Sequence, residues 1–536
     1  MNNSETKLVK QHNKKTDVTY VYENQPYWCK VKKQPRAKRK CIGHICKETG
    51  TVVPNQPKGR HKRVSKELDT PALPIPIAKR SFYGATYLFD QISEQLGLTD
   101  DLLTCFPDTY KQILSIAYYL ILEDNNPLSR FEKWSSLHKH PFGKDIPSQR
   151  SSELFASITE DSKTKFFKLQ GKRRAEKEFW NYDITSISSF SDTLRQVQYG
   201  HNKENDRLPQ INLAMIFGEE SGLPFYYRKL AGNIPDSKTI KRLLADLSIL
   251  GFDKVKLLMD RAFHTEENIN DLYKNRVKFL IGAKKTISLI KDAIDEAREE
   301  LHSFENYNED YGYYGFTIST HWNYTQIRPN KGDTLKEKKR IYIHVYYNID
   351  KAAEEERELD TMLAKLYKEL QTGKRIDKNE KLYEKYFVVT KTEKGNQVKA
   401  KKDIIINQKK YFGYFALISN EVLSVWKALY LYKAKDIVEK AFSNIKDRLN
   451  CRRTLVSSEK SLDGKLFVVF IALIILSYIN KQMRKKEMYK EYTLQQLLDK
   501  LDVIECFEYE GKRLQIGEVL VKQKVIYENL GVIPIA

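Results

Sequence analysis

Apolar residues recur first at helical spacing. Leu88, Ile92 and Leu96 stand at i, i+4 and i+8, Gly97 follows as a C-terminal stop, and Thr99 is placed to cap a second helix. Further helical patterns over 111–122 and 151–169 predict a mostly α region before residue 176. From Phe179 the pattern turns to strands, at 178–187, 210–217 and 223–230, the last two joined by a Glu219-Glu220-Ser221-Gly222 turn. A helix over 237–250, a strand over 255–259, a helix capped at Thr265 and a strand over 277–281 follow. Three strands able to pair antiparallel, then strands alternating with helices, predict an α/β fold: a mixed sheet flanked by helices.

Regularity breaks after residue 284 and returns at a strand over 414–418. Within the break, 316–322 and 340–347 read as strands, and Leu359, Met362, Leu363, Leu366 and Leu370 mark one amphipathic helix. An insertion with β content, interrupting a sheet domain, is the economical reading. A helix over 421–449 follows the returning strand.

Composition adds the partner class. The 536 residues are 41% hydrophobic and 12% aromatic, enough to bury several cores and to exclude wholesale disorder. The formal charge is +22, and residues 1–80, with 19 Lys or Arg against 6 Asp or Glu, carry +13 of it. That concentration favours a polyanion, nucleic acid above all, through counterion release. The densest part, residues 30–40, follows Tyr27 and Trp28, and Pro54, Pro57, Pro71, Pro74 and Pro76 mark a stiff linker. A basic arm on the DNA backbone is favoured over a merely solvated tail. The helical pair around Gly97 suits either a helix-turn-helix reader or an ordinary core hairpin.

The longest apolar run, 466–476, is about half of the roughly 20 residues that cross a bilayer and reads as a buried helix. The polar, basic start lacks the apolar stretch of a secretory signal, and six cysteines form no dense framework, so a cytoplasmic protein without disulfides is expected. Cys29, Cys41, His44 and Cys46 lack the paired spacing of a zinc site. The organisation expected is a basic arm and linker (1–80), an α-helical region suited to DNA binding (81–175), a sheet domain in two parts (176–284 and 411–480) split by an insertion (285–410), and a C-terminal helical region (481–536).

Three carboxylates stand out: Asp183 in the middle of a strand, Asp260 at the end of another, and Glu439 on the helix beside the returning sheet. A mid-strand aspartate among apolar residues is costly unless a cation or hydrogen bonds satisfy it. Taken singly, each aspartate also suits a turn or cap. On the helix, Tyr432, Lys435, Glu439 and Lys446 at i, i+3, i+7 and i+14 fall within roughly 60° of arc. Leu431, Val438, Phe442, Ile445 and Leu449 form an adjoining apolar stripe that would place Glu439 at the rim beside the aspartates. An ordinary amphipathic helix with exposed charges shows the same spacing. His264 suits proton transfer or a structural role, and Trp322 a stacked base or a core position.

These residues resemble the DDE transposases of bacterial insertion sequences, whose catalytic domain is ribonuclease-H-like. One branch of that family carries a helix signature of Tyr, two residues, Arg or Lys, three residues, Glu, six residues, Lys, matched here by Tyr432, Lys435, Glu439 and Lys446. Lys435 stands where Arg is commoner. Asp183 in Asp-Ile-Thr-Ser and Asp260 in Met259-Asp260-Arg261-Ala262-Phe263 resemble the first two acids. The segments 208–214 and 230–236 and the aromatic-basic stretch 28–43 also look like family segments.

The resemblance implies that Asp183, Asp260 and Glu439 are catalytic and hold two Mg²⁺ ions, with Mn²⁺ able to substitute. It implies that Tyr432, Lys435 and Lys446 grip DNA, and that a water or DNA 3′-hydroxyl is the nucleophile. The partners implied are double-stranded terminal inverted repeats and target DNA, bound by a dimer or higher assembly in the bacterial cytoplasm. Rival readings are a metal-dependent nuclease of the same fold and a transposase-derived DNA-binding protein that does not cut.

Overall fold

β-Branched and aromatic residues run through Val18-Thr19-Tyr20-Val21-Tyr22 and favour extended backbone. In the computed structural model the basic N-terminal segment is accordingly a sheet, where an arm was expected. β1 (Lys7–Asn13), β2 (Val18–Cys29), β3 (Gln34–Ile45) and β4 (Val52–Pro54) pair antiparallel in that order. The structure describes residues 6–55 and 78–536, apart from 31, 125, 174–177, 192, 204–206, 329–331, 393–394, 450, 452, 455 and 457. Most of the proline-marked linker lies outside the described residues. Residues 1–76 form one compact unit and 77–536 a second.

The second unit opens with β5 (Ala78–Phe82) and the helices Gly84–Gln95, Leu98–Cys105, Tyr110–Leu122, Phe131–Leu137, Ser148–Ser157 and Glu160–Arg173. Gly97 ends the first of these in the left-handed region (φ 64°), where glycine carries no Cβ penalty. The next helix begins at Leu98, so Thr99 lies inside it and does not cap it. The helix expected over 151–169 is two helices. Leu88, Ile92, Leu98 and Leu102 are wholly buried, so the apolar faces of the first helical pair belong to the core.

The strands of the main sheet follow: β6 (Trp180–Ser189), β7 (Gln210–Gly218), β8 (Pro224–Ala231), β9 (Lys256–Met259) and β10 (Lys278–Gly282). The break then contributes β11 (Tyr307–Asn308), β12 (Tyr313–Arg328) and β13 (Asp333–Tyr347), followed by the β14 (Phe387–Thr392) and β15 (Gly395–Ala400) hairpin. After it come β16 (Tyr414–Ser419) and β17 (Arg453–Thr454). One sheet runs β11-β12-β13-β16-β10-β9-β6-β7-β8, with β17 also beside β6. β6, β7 and β8 are antiparallel neighbours, whereas β6, β9 and β10 are parallel. This is the ribonuclease-H-like order. β6 is central and buried along nearly its whole length, as a strand covered on both faces must be.

The insertion is less separate than its sequence suggests. β13 pairs with β16 from Tyr342↔Ser419 to Tyr347↔Tyr414, so the hairpin β12–β13 extends the main sheet. Only the segment from helix Ile349–Gln371 onward builds a small core of its own, around Leu359, Leu366, Leu370, Tyr383 and Tyr386. The apolar run expected as a buried helix lies in helix Glu459–Lys485, long and apolar enough to cross a membrane but buried inside this unit. At Gly464 an added Cβ would sit 2.1 Å from the Phe155 carbonyl oxygen, so only glycine permits that approach. The C-terminal region is not wholly helical: β18 (Glu505–Tyr509) pairs with β5 and with β19 (Gln515–Ile516). β5 and β18 are separated by most of the chain, which is why local periodicity does not disclose them.

Candidate active site

β6 and β9 run parallel with Tyr182 opposite Met259, so the next residues along these strands, Asp183 and Asp260, are neighbours where β9 ends. Asp183 is the one position of β6 that is not fully buried. Its Oδ1 accepts the Ile184 N–H at 2.8 Å, and Lys203 Nζ stands 4.0 Å from it. Burial pushes the Asp183 carboxyl up and the Asp260 charge adds to this, against the pull of Lys203, the Ile184 N–H and Lys435. Lys203 also pairs with Asp236 at 3.1 Å and donates to the Ile184 carbonyl.

Asp260 caps the turn Arg261–Phe263, its Oδ1 accepting the Arg261 N–H at 2.7 Å. The same oxygen accepts the Tyr432 hydroxyl at 2.8 Å and lies 3.4 Å from Lys435 Nζ. Burial pushes this carboxyl up, but Lys435, Tyr432 and the Arg261 N–H outweigh it and hold Asp260 below the usual carboxylate range. The two aspartates are thus shifted in opposite directions. Burial, then the Asp260 charge, raises the Tyr432 phenol, which therefore remains a donor.

The helix expected over 421–449 is divided. Ser424 caps helix Val425–Lys433, the chain re-forms as Asp436–Ser443, and Asn444–Arg448 is a π-helical turn closed by Leu449 N–H to the Asn444 carbonyl at 2.9 Å. The expected apolar stripe is in the core: Leu431, Val438, Phe442, Ile445 and Leu449 are all buried. Each such side chain contributes about 1.5–3 kcal/mol of hydrophobic stabilisation. Burying this stripe sets Tyr432 and Lys435 against Asp260.

Glu439 and Lys446 depart from the expected cluster. Glu439 is 62% exposed, and Lys435 Nζ stands 4.0 Å from its carboxylate. Lys446 is buried at 8% exposure, because the π-helical turn carries i→i+5 bonds and advances less than 100° per residue, which spoils the four-residue face. Among the described residues no three His, Cys, Asp or Glu side chains converge as metal ligands. The donor chemistry nevertheless fits a hard divalent cation. Asp183 and Asp260 offer hard oxygens side by side, and the largely buried Asp183 has incomplete charge compensation.

Lys203, Asp236 and Gly282 were not singled out from the sequence. Asp236 closes the 230–236 segment, but nothing local marks Lys203 as the partner of Asp183. At Gly282 an added Cβ would meet the Tyr432 hydroxyl at 2.7 Å, so this glycine makes room for the Tyr432–Asp260 bond. His264 is buried and accepts the Lys284 N–H on Nδ1 at 3.0 Å; burial, then Lys284, lowers it to about 4. Trp322 is buried and donates to Asn270 Oδ1 at 2.9 Å, a core position rather than a base platform.

Residues 165–475 match the family described as "Transposase DDE domain". No curated protein matches the chain. A solved structure titled "Cryo-EM structure of piggyBac transposase synaptic complex with hairpin DNA (SNHP)" is similar at 9% identity and a TM-score of 0.35, over 78% of this chain and 76% of that one. A likeness that low decides nothing about this molecule.

Proposed function

The chain belongs to the transposase DDE domain family, and from that membership we propose that it cuts DNA at the ends of an insertion sequence and joins those ends to target DNA. The family is one of DNA-cleaving polynucleotidyl transferases that generally use divalent metals. The observation that carries the proposal is the juxtaposition of Asp183 and Asp260 on adjacent parallel strands, with Tyr432 and Lys435 both on Asp260.

In this reading Asp183, Asp260 and Glu439 hold two Mg²⁺ ions. Such a pair stabilises charge on the attacking and leaving oxygens of a phosphodiester. Tyr432 fixes the Asp260 carboxylate by donating to Oδ1. Lys435 lends its charge to a phosphate oxygen, and its 14% exposure leaves it little freedom to wander. Lys446, at 8% exposure, is the least accessible of the three proposed DNA contacts. The substrate is double-stranded DNA with terminal inverted repeats, bound by a dimer or higher assembly on paired ends in the bacterial cytoplasm.

The test uses labelled DNA carrying the inverted repeats that flank the reading frame, with Mg²⁺ and a target duplex. Wild type is expected to cut and join. Asp183→Asn, Asp260→Asn and Glu439→Gln should bind the ends and leave them intact. Hydrolysis without joined products would replace the transposase reading with a nuclease, and cutting by a variant at near wild-type rate would remove that residue from the site.

A further inference from the structure

The N-terminal unit carries a feature that the active site does not use. β1 pairs with β2 only as far as Asn24, and β4 pairs with β3 only from Gly43 onward. Five pairs, from Gln25↔Lys38 to Cys29↔Gln34, therefore continue as a two-stranded ribbon with no third strand beside it among the described residues. At about 3.3 Å per residue it reaches about 16 Å beyond the sheet, before its turn. From Asn24 to Lys40 the chain holds seven Lys or Arg and no Asp or Glu, and all seven cations are exposed. None of them is in an ion pair among the described residues.

The register sorts the ribbon into two faces. Gln25, Tyr27, Arg36 and Lys38 share one, because Gln25 stands opposite Lys38 and Tyr27 opposite Arg36. Trp28, Pro26, Pro35 and Ala37 share the other, with Trp28 63% exposed. The first face is made of hydrogen-bond donors of the kind that read base edges, Arg and Lys on guanine and Gln on adenine. Pro26 and Pro35 lack N–H groups, and with the edge lysines they discourage pairing with another strand, so a second copy of this chain is a poor occupant.

We propose that this ribbon enters the major groove of duplex DNA with the Gln25–Tyr27–Arg36–Lys38 face toward the bases, while Lys30, Lys32 and Lys33 at the turn hold phosphates. A groove about 12 Å wide admits two strands. Unneutralised cations clustered on a thin ribbon repel one another until a polyanion is bound, which gives the ribbon its charge complement. The inference rests on the transposase reading for its choice of DNA, and names how the N-terminal unit engages it.

The experiment uses the full chain, a short mixed-sequence duplex, and the same duplex methylated at guanine N7, which lines the major groove. Arg36→Gln with Lys38→Gln should weaken binding on the order of tenfold and abolish sensitivity to methylation. Lys30→Gln, Lys32→Gln and Lys33→Gln together should lower the slope of log affinity against log salt by about 0.9 for each phosphate no longer neutralised. All these positions are exposed, and circular dichroism confirms that the variants fold. Wild-type binding indifferent to N7 methylation, or ribbon variants that bind like wild type, would overturn the ribbon's role while leaving active-site cleavage untouched. Failure of the wild type to bind any duplex would remove the transposase reading itself.

Discussion

The Tyr432 hydroxyl donates to Asp260 Oδ1 at 2.8 Å, joining side chains 172 positions apart in the chain. Three elements meet at this bond: the end of β9 supplies the acceptor, helix Val425–Lys433 the donor, and Gly282 at the end of β10 the space between them. A hydrogen bond to a charged group contributes about 1.5–3 kcal/mol, so the bond orients the Asp260 carboxylate and also stabilises the fold.

Gly282→Ala should cost about 1–3 kcal/mol, because its Cβ would press on the Tyr432 hydroxyl and lie 3.0 Å from the Arg261 nitrogen. Tyr432→Phe removes the hydroxyl alone and should cost about 1.5–3 kcal/mol. Combined, the two should cost less than their sum, since the phenylalanine lacks the atom the methyl strikes. Urea unfolding of the four proteins measures this; costs that add within about 0.5 kcal/mol would show the contact to be absent.

Lys435 lies between Asp260 and Glu439, where its charge serves both. Lys435→Arg should retain cleavage and joining, because the guanidinium is also cationic and reaches the same oxygens. Lys435→Ala should slow cleavage of bound ends on the order of a hundredfold, the penalty for a phosphate misplaced by about 1 Å. Single-turnover cleavage of saturated DNA decides it, and an alanine variant that keeps the wild-type rate would confine Lys435 to its ion pairs with Asp260 and Glu439.

Lys203 bridges Asp183 and Asp236. Lys203→Ala should leave the largely buried Asp183 carboxyl harder to ionise and reduce cleavage on the order of tenfold, about 1.4 kcal/mol of barrier, with Lys203→Arg recovering most of the rate. If instead the alanine variant cleaves normally and only melts earlier, Lys203 braces its loop and does not tune Asp183.

His264 is lowered to about 4 by burial and by Lys284, against an ordinary 6.5. Below 6.5 the unfolded chain takes up a proton that the folded one refuses until about 4, so stability is fully present above 6.5 and falls as pH drops through that window. Its share is at most about 3 kcal/mol. His140 and His344, lowered to about 4 as well, act in the same direction. His264→Gln should flatten the loss of unfolding free energy between neutral and acidic pH, and an unchanged slope would mean that His264 titrates freely in the fold.

Local pattern carried much of this molecule. Apolar, aromatic and β-branched runs in residues 178–230 and the apolar strands at 255–259 and 277–281 locate β6 to β10 to within two residues at each end, because the preference of those residues for extended backbone is local. The spacing of Tyr432, Lys435 and Glu439 likewise put two of the three beside Asp260, since one buried stripe orients the helix.

Other features were decided only when distant segments met. β18 is a strand because β5, more than 400 residues earlier, supplies its partner, and β12 and β13 belong to the main sheet because β16 accepts β13 along its edge. Lys203 has no local signature as the neighbour of Asp183. Lys446 is inside because a π-helical turn, packed where Arg448 donates to the Ile121 carbonyl at 2.9 Å, rotates the end of its helix away from the spacing that the sequence displays. Periodicity records which face of an element is apolar; it does not record which other element covers that face, and pairing, charge compensation and helix distortion all depend on that second fact.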